Sequence, residues 1–321
     1  MEMKLVVLDG YTLNPGDLDW NVLGIFGPIT VYPISKDEEI VERIGDADIV
    51  FTNKTPITEA VLEQCPNIRY VGEMATGFDN LDLEALRAHG VAVANVPDYG
   101  GIAVAQHTMA LLLELANRTM WNHQRVINGE WTGNTIPARG AWQMEMTELS
   151  GKTIGFVGFG TIAIYVARMA RAFGMRTLGY SRTERAEGRE VAEYVDLDTL
   201  LRESDVVSLH MPLNEASRNI MNRETFAKMK KGAFLINTAR GALVDEEALV
   251  EALDNGTVAG FATDVLVEEP FNMAHPLMGR EDVVLTPHIA WGPQATRARL
   301  LQICADNLEA FLKGTSLNRL V

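Results

Sequence analysis

Cysteine is nearly absent from this chain, and that scarcity narrows its chemistry first. Among 321 residues only Cys65 and Cys304 carry a thiol. Their spacing fits neither a disulfide framework nor a cysteine metal site, and their apolar neighbours make both expected buried free thiols. No metal is expected. Basic residues are outnumbered: 28 Lys and Arg stand against 43 Asp and Glu, for a net charge of −15. That balance excludes a nucleic-acid binder and a protein that rides on an anionic membrane surface. It also requires any anionic ligand to find a local basic pocket. No apolar run approaches the length of a membrane span, and Met1–Asp9 enters a strand pattern directly, without the build of a signal peptide. Solenoid repeats and low-complexity tracts are missing as well. A cytoplasmic protein is expected.

What is present is apolar side chain, 47% of residues, in a chain long enough for two domains. Short apolar strands recur at Leu5–Leu8, Ile29–Tyr32, Ile49–Thr52, Tyr70–Met74 and Val91–Val96, with helical segments between them. One helix is expected to start at the capping-box pattern Ser35-Lys36-Asp37-Glu38. A second series follows at Ile154–Val157, Thr177–Tyr180, Val206–His210, Phe234–Asn237, Gly260–Val265 and Val283–Thr286. Such alternation predicts an α/β protein with two doubly wound parallel sheets. A long apolar helix is predicted over Ile102–Asn117, after the hinge-like Pro97-Asp98-Tyr99-Gly100-Gly101. A last helix over Ala295–Lys313 stops at Gly314 and carries Leu301, Cys304, Leu308 and Phe311 on one stripe. That tail is expected to return to the first domain, so the domains are read as 1–100 with 290–321, and 101–289. The segment Thr119–Thr147 has few strand or helix signals but holds Trp121, Trp131 and Trp142. Two readings stand for it: an arm that packs on a second subunit, or a surface loop with its own aromatic cluster.

The most specific stretch is Thr153-Ile-Gly-Phe-Val-Gly158-Phe-Gly160-Thr-Ile-Ala163. A short apolar strand, a glycine turn and a helix start form the Gly-x-Gly-x-x-Gly/Ala dinucleotide fingerprint in its required context. Gly158 permits the tight turn, Gly160 lets the backbone approach a pyrophosphate, and Ala163 allows close helix–strand packing. The helix N-terminus offers free N–H groups and a positive dipole end to the anion. Ile162, Val166, Met169 and Phe173 repeat at helical spacing along one face, Gly174 suits the end of the helix, and the strand Arg176–Tyr180 completes a βαβ unit.

At the end of that second strand an NAD site usually carries Asp or Glu for the ribose 2′-OH. Here the chain reads Ser181-Arg182-Thr183-Glu184-Arg185. A carboxylate would repel a 2′-phosphate, whereas a guanidinium binds one through paired donors. NADP(H) is therefore expected in preference to NAD(H), with NAD(H) still possible. The competing reading is a solvated polar turn whose Arg182 touches nothing.

Three further segments carry chemistry: Leu235-Ile-Asn-Thr-Ala-Arg240-Gly241, Thr263-Asp264-Val-Leu-Val-Glu-Glu269-Pro270 and Thr286-Pro-His288-Ile-Ala-Trp291-Gly292. Each candidate sits at or just past the carboxyl end of a predicted parallel strand, the edge on which open α/β sheets bind ligands. With Ala75-Thr-Gly77-Phe-Asp79-Asn80, Asn95-Val-Pro97 and His107, these segments make the whole chain resemble the D-2-hydroxyacid dehydrogenases. Asn53-Lys54-Thr55 and Pro287-His288-Ile-Ala-Trp291 are similar to the glycerate dehydrogenase branch, the hydroxypyruvate and glyoxylate reductases.

The resemblance implies a flavodoxin-like substrate domain and a Rossmann nucleotide domain with a cleft between them, and a homodimer. It implies reversible hydride transfer between NAD(P)H and a small 2-oxo acid, hydroxypyruvate or glyoxylate first, with Arg240, Glu269 and His288 catalytic. Arg240 would hold the substrate carboxylate and polarise its ketone. His288 as imidazolium would donate a proton to the forming alkoxide, with Glu269 on its other ring nitrogen favouring that charged ring and fixing its orientation. Glu268 competes with Glu269 for this role; Glu269 is preferred because it directly precedes Pro270. Substrate contacts are expected from Asn53, Lys54, Thr76, Gly77, Arg240, His288 and Trp291, although Asn53 and Lys54 read equally as a polar turn. Cofactor contacts are expected from Gly158, Gly160, Thr161, Ile162, Ser181, Arg182, Thr183, His210, Met211, Pro212, Thr238, Ala239, Arg240, Asp264 and His288. Lactate-type and phosphoglycerate substrates are the near alternatives. A chain of this length is expected to lack the regulatory domain of many phosphoglycerate enzymes, and Glu269 argues against the formate dehydrogenases. A nucleotide-sensing, corepressor-like binding protein is the alternative of a different class.

Overall fold

The computed structural model describes residues 3–131 and 146–321. Two compact units emerge, 1–100 with 292–321, and 101–291. In the first unit β1 (Leu5–Val7), β2 (Ile29–Val31), β3 (Ile49–Thr52), β4 (Tyr70–Glu73) and β5 (Ala92–Ala94) form one sheet in the order β2-β1-β3-β4-β5. All its pairings are parallel, with Leu5 opposite both Ile29 and Ile49. This is the doubly wound 2-1-3-4-5 order. Parallel strands need helical crossovers that cover both faces, so the central strands are buried throughout and read as unbroken apolar runs. Val6, Val50, Val71 and Val93 pack beneath Ile40, Ile44, Leu62 and Leu86 on one face. The helix Gln294–Leu312 covers β4, where the Phe311 and Tyr70 rings lie 5.0 Å apart. It is tied down by Asn307 Nδ2, which donates to the Asn95 carbonyl at 2.9 Å, and by the paired bonds of Arg297 to Asp17 at 2.7 Å.

The second unit holds β6 (Thr153–Val157), β7 (Arg176–Tyr180), β8 (Glu193–Tyr194), β9 (Val206–Leu209), β10 (Ala233–Asn237), β11 (Val258–Thr263) and β12 (Val283–Leu285). Their order is β12-β11-β10-β9-β6-β7-β8, again all parallel. The strand order reverses at β6, the strand that leads into the glycine turn, and this reversal is where such sheets bind dinucleotides. Ile154 and Phe156 face the helices Gly101–Asn117 and Thr161–Ala172, while Val157, Leu209 and Leu235 face Phe226 and Leu249. Both cysteines are free and buried. Among the described residues, no helix is long and apolar enough to cross a membrane.

Several local expectations are corrected. The start is fastened one residue later than expected and by half of a capping box: Glu39 Oε2 accepts from the Lys36 N–H at 2.9 Å, while the Lys36 ammonium offers no acceptor in return. The Ser35 hydroxyl is engaged elsewhere, donating to the Leu8 carbonyl and accepting from Arg43 at 2.8 Å. The helix Thr161–Ala172 buries Ala163, Ile164, Val166, Ala167 and Ala170, and the expected Ile162 and Met169 pack half-buried against the same core, whereas Phe173 lies just past the helix and is 44% exposed. Three of the five are alanines, whose small side chains are buried beside the larger apolar ones. Strand β8 escaped the pattern because two residues at a sheet edge carry no periodicity. The arm segment opens with a helix, Thr119–Ile127, in which the Arg125 guanidinium lies 4.4 Å from the Trp121 ring centre. Trp131 is exposed, and Trp142 lies outside the described residues.

Candidate active site

Every chemistry-bearing segment of the second unit follows the carboxyl end of a strand. Gly158 follows β6, Ser181 follows β7, His210 follows β9, Thr238–Arg240 follows β10, Asp264 follows β11, and Thr286–His288 follows β12. Because the sheet is parallel throughout, these segments share one edge.

The glycine turn presents two different steric situations. Gly158 has φ +89°, and a Cβ there would lie 2.7 Å from both the Cβ and the N of Met211. Gly160 differs: a Cβ there would meet nothing of the protein within 4 Å. The turn therefore leaves open space in front of the helix that begins at Thr161, and the residues fit a pyrophosphate held against its N-terminus. At the end of β7, Ser181 is half-buried while Arg182 and Thr183 are exposed. Arg185 lies closer to the turn than its position in the sequence suggested. Its Nη1 donates to Thr161 Oγ1 at 3.1 Å, and its N–H donates to the Tyr194 hydroxyl at 3.0 Å. The run Ser181–Arg185 holds two guanidiniums, and order along the chain favours the one nearer the strand.

His210 Nε2 lies 2.8 Å from Ser208 Oγ, with its ring against Phe156. Burial pushes its imidazole down to about 3, so the ring is neutral. The backbone of His210 and Met211 walls the turn at Gly158, and Pro212 is exposed, its carbonyl accepting from Ser217. Thr238 Oγ1 and Thr108 Oγ1 are 2.9 Å apart. The fully buried Asn237 shapes the arginine turn, donating to the Arg240 carbonyl at 2.9 Å and accepting from the Ala239 N–H at 3.0 Å. Arg240 is half-buried, and its Nη1 donates to the Ala239 carbonyl at 2.8 Å.

Glu269 and His288 meet directly. Glu269 Oε2 lies 2.7 Å from His288 Nδ1, and Glu269 Oε1 accepts from the Leu266 N–H at 3.0 Å. Glu268 is exposed and makes no such bond. With Nδ1 facing a carboxylate, that nitrogen carries the proton, and Nε2 lies outside this pair. His288 has φ +56°, a backbone region that non-glycine residues seldom adopt. Asp264, 2% exposed, holds the turn in that form: it accepts from Thr286 Oγ1 at 2.6 Å, the Ile289 N–H at 2.9 Å and the Ala290 N–H at 2.8 Å. His107 Nε2 joins the cluster 2.9 Å from Thr286 Oγ1. Trp291 is half-buried, and its Nε1 donates to the His288 carbonyl at 3.1 Å.

In the first unit the Asn53-Lys54-Thr55 turn is built around Asp9. Asp9 accepts from the N–H groups of Asn53, Lys54 and Thr55 at 2.6–3.0 Å, and from the Thr55 hydroxyl at 3.0 Å. Asn53 is 6% exposed and donates to the Met74 carbonyl at 2.6 Å, whereas Lys54 is exposed. Thr76 is exposed, and the N–H groups of Thr76 and Gly77 have no acceptor among the described residues. Beneath this turn lies Glu73, fully buried, accepting from Asn80 Nδ2 at 3.0 Å. Asp9 and Glu73 escaped the sequence reading, because a lone acid at a strand end has no distinguishing pattern.

The fold and these residues define a class: a two-unit nucleotide-binding α/β protein with a carboxylate-oriented histidine and an arginine on one sheet edge. The profile of the D-isomer specific 2-hydroxyacid dehydrogenase NAD binding domain matches residues 109–290. A hydroxypyruvate reductase of Blautia hydrogenotrophica is 45% identical over 98% of this chain and 99% of its own. A glyoxylate reductase of Aeropyrum pernix is 41% identical over 86% of this chain and 83% of its own. The apo-structure of D-lactate dehydrogenase from Escherichia coli superposes with a TM-score of 0.87 at 29% identity, covering 99% of this chain and all of that one. The chain belongs to the D-isomer specific 2-hydroxyacid dehydrogenase family. It is an oxidoreductase that acts on a CH–OH group with a nicotinamide cofactor.

Proposed function

We propose that this enzyme reduces hydroxypyruvate and glyoxylate to D-glycerate and glycolate, with NADPH preferred over NADH. The 2.7 Å pairing of Glu269 with His288 carries the catalytic part of this reading. A bound reduced nicotinamide supplies the hydride. As negative charge grows on the substrate oxygen, His288 donates a proton from Nε2, and Glu269 holds Nδ1 and fixes the orientation of the ring. Arg240 receives the substrate carboxylate and draws electron density from the ketone through its planar fork. Asn53, Lys54, Thr76, Gly77 and Trp291 are the other proposed substrate contacts. The unengaged N–H groups of Thr76 and Gly77 support their assignment to an anion.

Substrate choice follows from the reductases to which the chain is similar along nearly its whole length. Units 1–100 with 292–321 and 101–291 are assigned substrate and nucleotide roles respectively. Ser181 and Arg182, where a carboxylate would favour NAD, support NADPH, and Arg185 adds a second guanidinium beside Thr161. A homodimer belongs to the same proposal, supported by exposed Met120, Ile127 and Trp131 along the arm. A cytoplasmic location belongs to it too, supported by two unpaired thiols and the net charge of −15.

Oxidation of NADPH and NADH with hydroxypyruvate, glyoxylate, pyruvate and 2-oxoisocaproate tests the reading in one plate. Fastest turnover of NADPH with hydroxypyruvate or glyoxylate is expected. Preference for pyruvate or 2-oxoisocaproate would move the enzyme to a lactate-type substrate. Tight nucleotide binding without any turnover would favour a nucleotide-sensing protein.

A further inference from the structure

We propose that Glu246 is a positioning residue for the Glu269–His288 pair, acting through the loop that carries Glu269. This rests on the acid role read for His288 above. Glu246 opens the helix Glu246–Asp254, and its two oxygens serve two ends of one loop. Oε1 accepts from the Val267 N–H at 3.3 Å, and Oε2 lies 3.1 Å from His275 Nε2. His275 Nδ1 accepts from the Leu277 N–H at 3.3 Å, so Nε2 carries the proton and donates to Glu246. One carboxylate thus fastens the loop before and after Glu269. Nothing assigned to cofactor or substrate needs Glu246.

The loop start is confined on its other side as well. A Cβ on Gly241 would lie 2.0 Å from the Leu266 carbonyl carbon and 2.4 Å from the Val267 nitrogen. Hence the Leu266–Val267 peptide is seated against the glycine that directly follows Arg240. One residue position governs the neighbouring bond: the Leu266 N–H donates to Glu269 Oε1, whose partner oxygen meets His288. Removing Glu246 leaves the Val267 N–H without its acceptor and frees His275. The carboxylate of Glu269 then loses its fixed approach to Nδ1, and small misplacements of catalytic groups cost large factors in rate.

Four variants test this: Glu246→Ala, Glu246→Gln, Glu269→Ala and the double variant Glu246→Ala/Glu269→Ala. Glu247→Ala controls for charge at the same helix start, since Glu247 is exposed and, among the described residues, reaches only Arg223 at 3.8 Å. In the wild-type background Glu246→Ala is expected to lower kcat roughly tenfold or more, with KM for NADPH within about twofold. Glu246→Gln keeps an oxygen for the Val267 N–H and should recover part of that loss, while Glu247→Ala should show none. In the Glu269→Ala background the same Glu246→Ala change should cost less than about twofold, because its target is gone. Equal losses in both backgrounds would overturn the proposal. Amide hydrogen exchange over residues 265–271 gives a readout that needs no turnover: Glu246→Ala should lose protection there, and unchanged protection would overturn the proposal on its own. A wild-type enzyme inactive on every 2-oxo acid would defeat the function proposed above and leave the exchange result to decide this one.

Discussion

Replacing Glu73 with Gln should remove a fall in the stability of this fold between about pH 5 and about pH 8. Glu73 ends strand β4 with no exposed surface, and burial is the main reason its carboxyl is pushed up to about 9. The Asn80 amide opposes that shift, and the charge of Asp9 adds to it. The ordinary carboxyl value is 4.5, so between the two values the native state holds a proton that the unfolded chain has released. A raised native value contributes stability that is complete below about pH 4.5 and lost as pH climbs toward 9. The loss runs at about 1.4 kcal/mol per pH unit, or about 4 kcal/mol between about pH 5 and about pH 8. Gln has nearly the same shape and does not titrate. Urea unfolding at pH steps across that window should show wild-type stability falling relative to Glu73→Gln by about 4 kcal/mol. His210 works in the opposite sense: its value is depressed to about 3, so its contribution is lost as pH falls below 6.5. That contribution is common to both proteins and cancels in the difference. Parallel stability curves for the two proteins would refute the reasoning, because they would mean that Glu73 is charged in the fold.

Other outcomes are expected from the same geometry. His288→Ala should lower turnover by about two to four orders of magnitude while the dissociation constant for NADPH, measured by calorimetry, changes little; undiminished turnover would remove His288 from the chemistry. Arg182→Asp should move the kcat/KM ratio toward NADH through repulsion of a 2′-phosphate, and an unchanged ratio would detach Arg182 from the ribose. Gly160→Ala and Gly158→Ala should separate in a melting experiment. The Gly160 variant should keep its Tm yet lose NADPH affinity, since its Cβ meets only open space. The Gly158 variant should lose stability as well, because its Cβ strikes the Met211 backbone at a φ of +89°. Equal Tm for the two variants would contradict the steric account.

Much was legible in the chain because local chemistry and global fold agree. Buried parallel strands must be short and apolar on both faces, so strand β3 at Ile49–Thr52 appeared with its observed bounds and its neighbours within a few residues. The glycine turn announced itself since only glycine tolerates the backbone at position 158 and leaves open space at position 160. Arg240, Asp264 and His288 stand just past apolar strands, a property of order along the chain, while the roles expected of them came from the resemblance to the dehydrogenases.

What the chain by itself determined, then, is the alternation of elements, the dinucleotide turn and the residue types at the strand ends. Tertiary structure alone decided which of these residues meet. Glu269 and His288 are 19 positions apart and touch through two separate loops. Arg185 reaches Thr161 across 24 positions, and Asp9 gathers a turn more than 40 positions away. The helix Thr161–Ala172 likewise buries Ala163, Ala167 and Ala170 beside its larger apolar residues, which a count of large apolar residues misses. Hydrophobic periodicity is written locally because each strand and helix must bury its own face. Pairing of polar groups is set by loop paths and by the desolvation of each partner, and neither exists until the sheets are assembled.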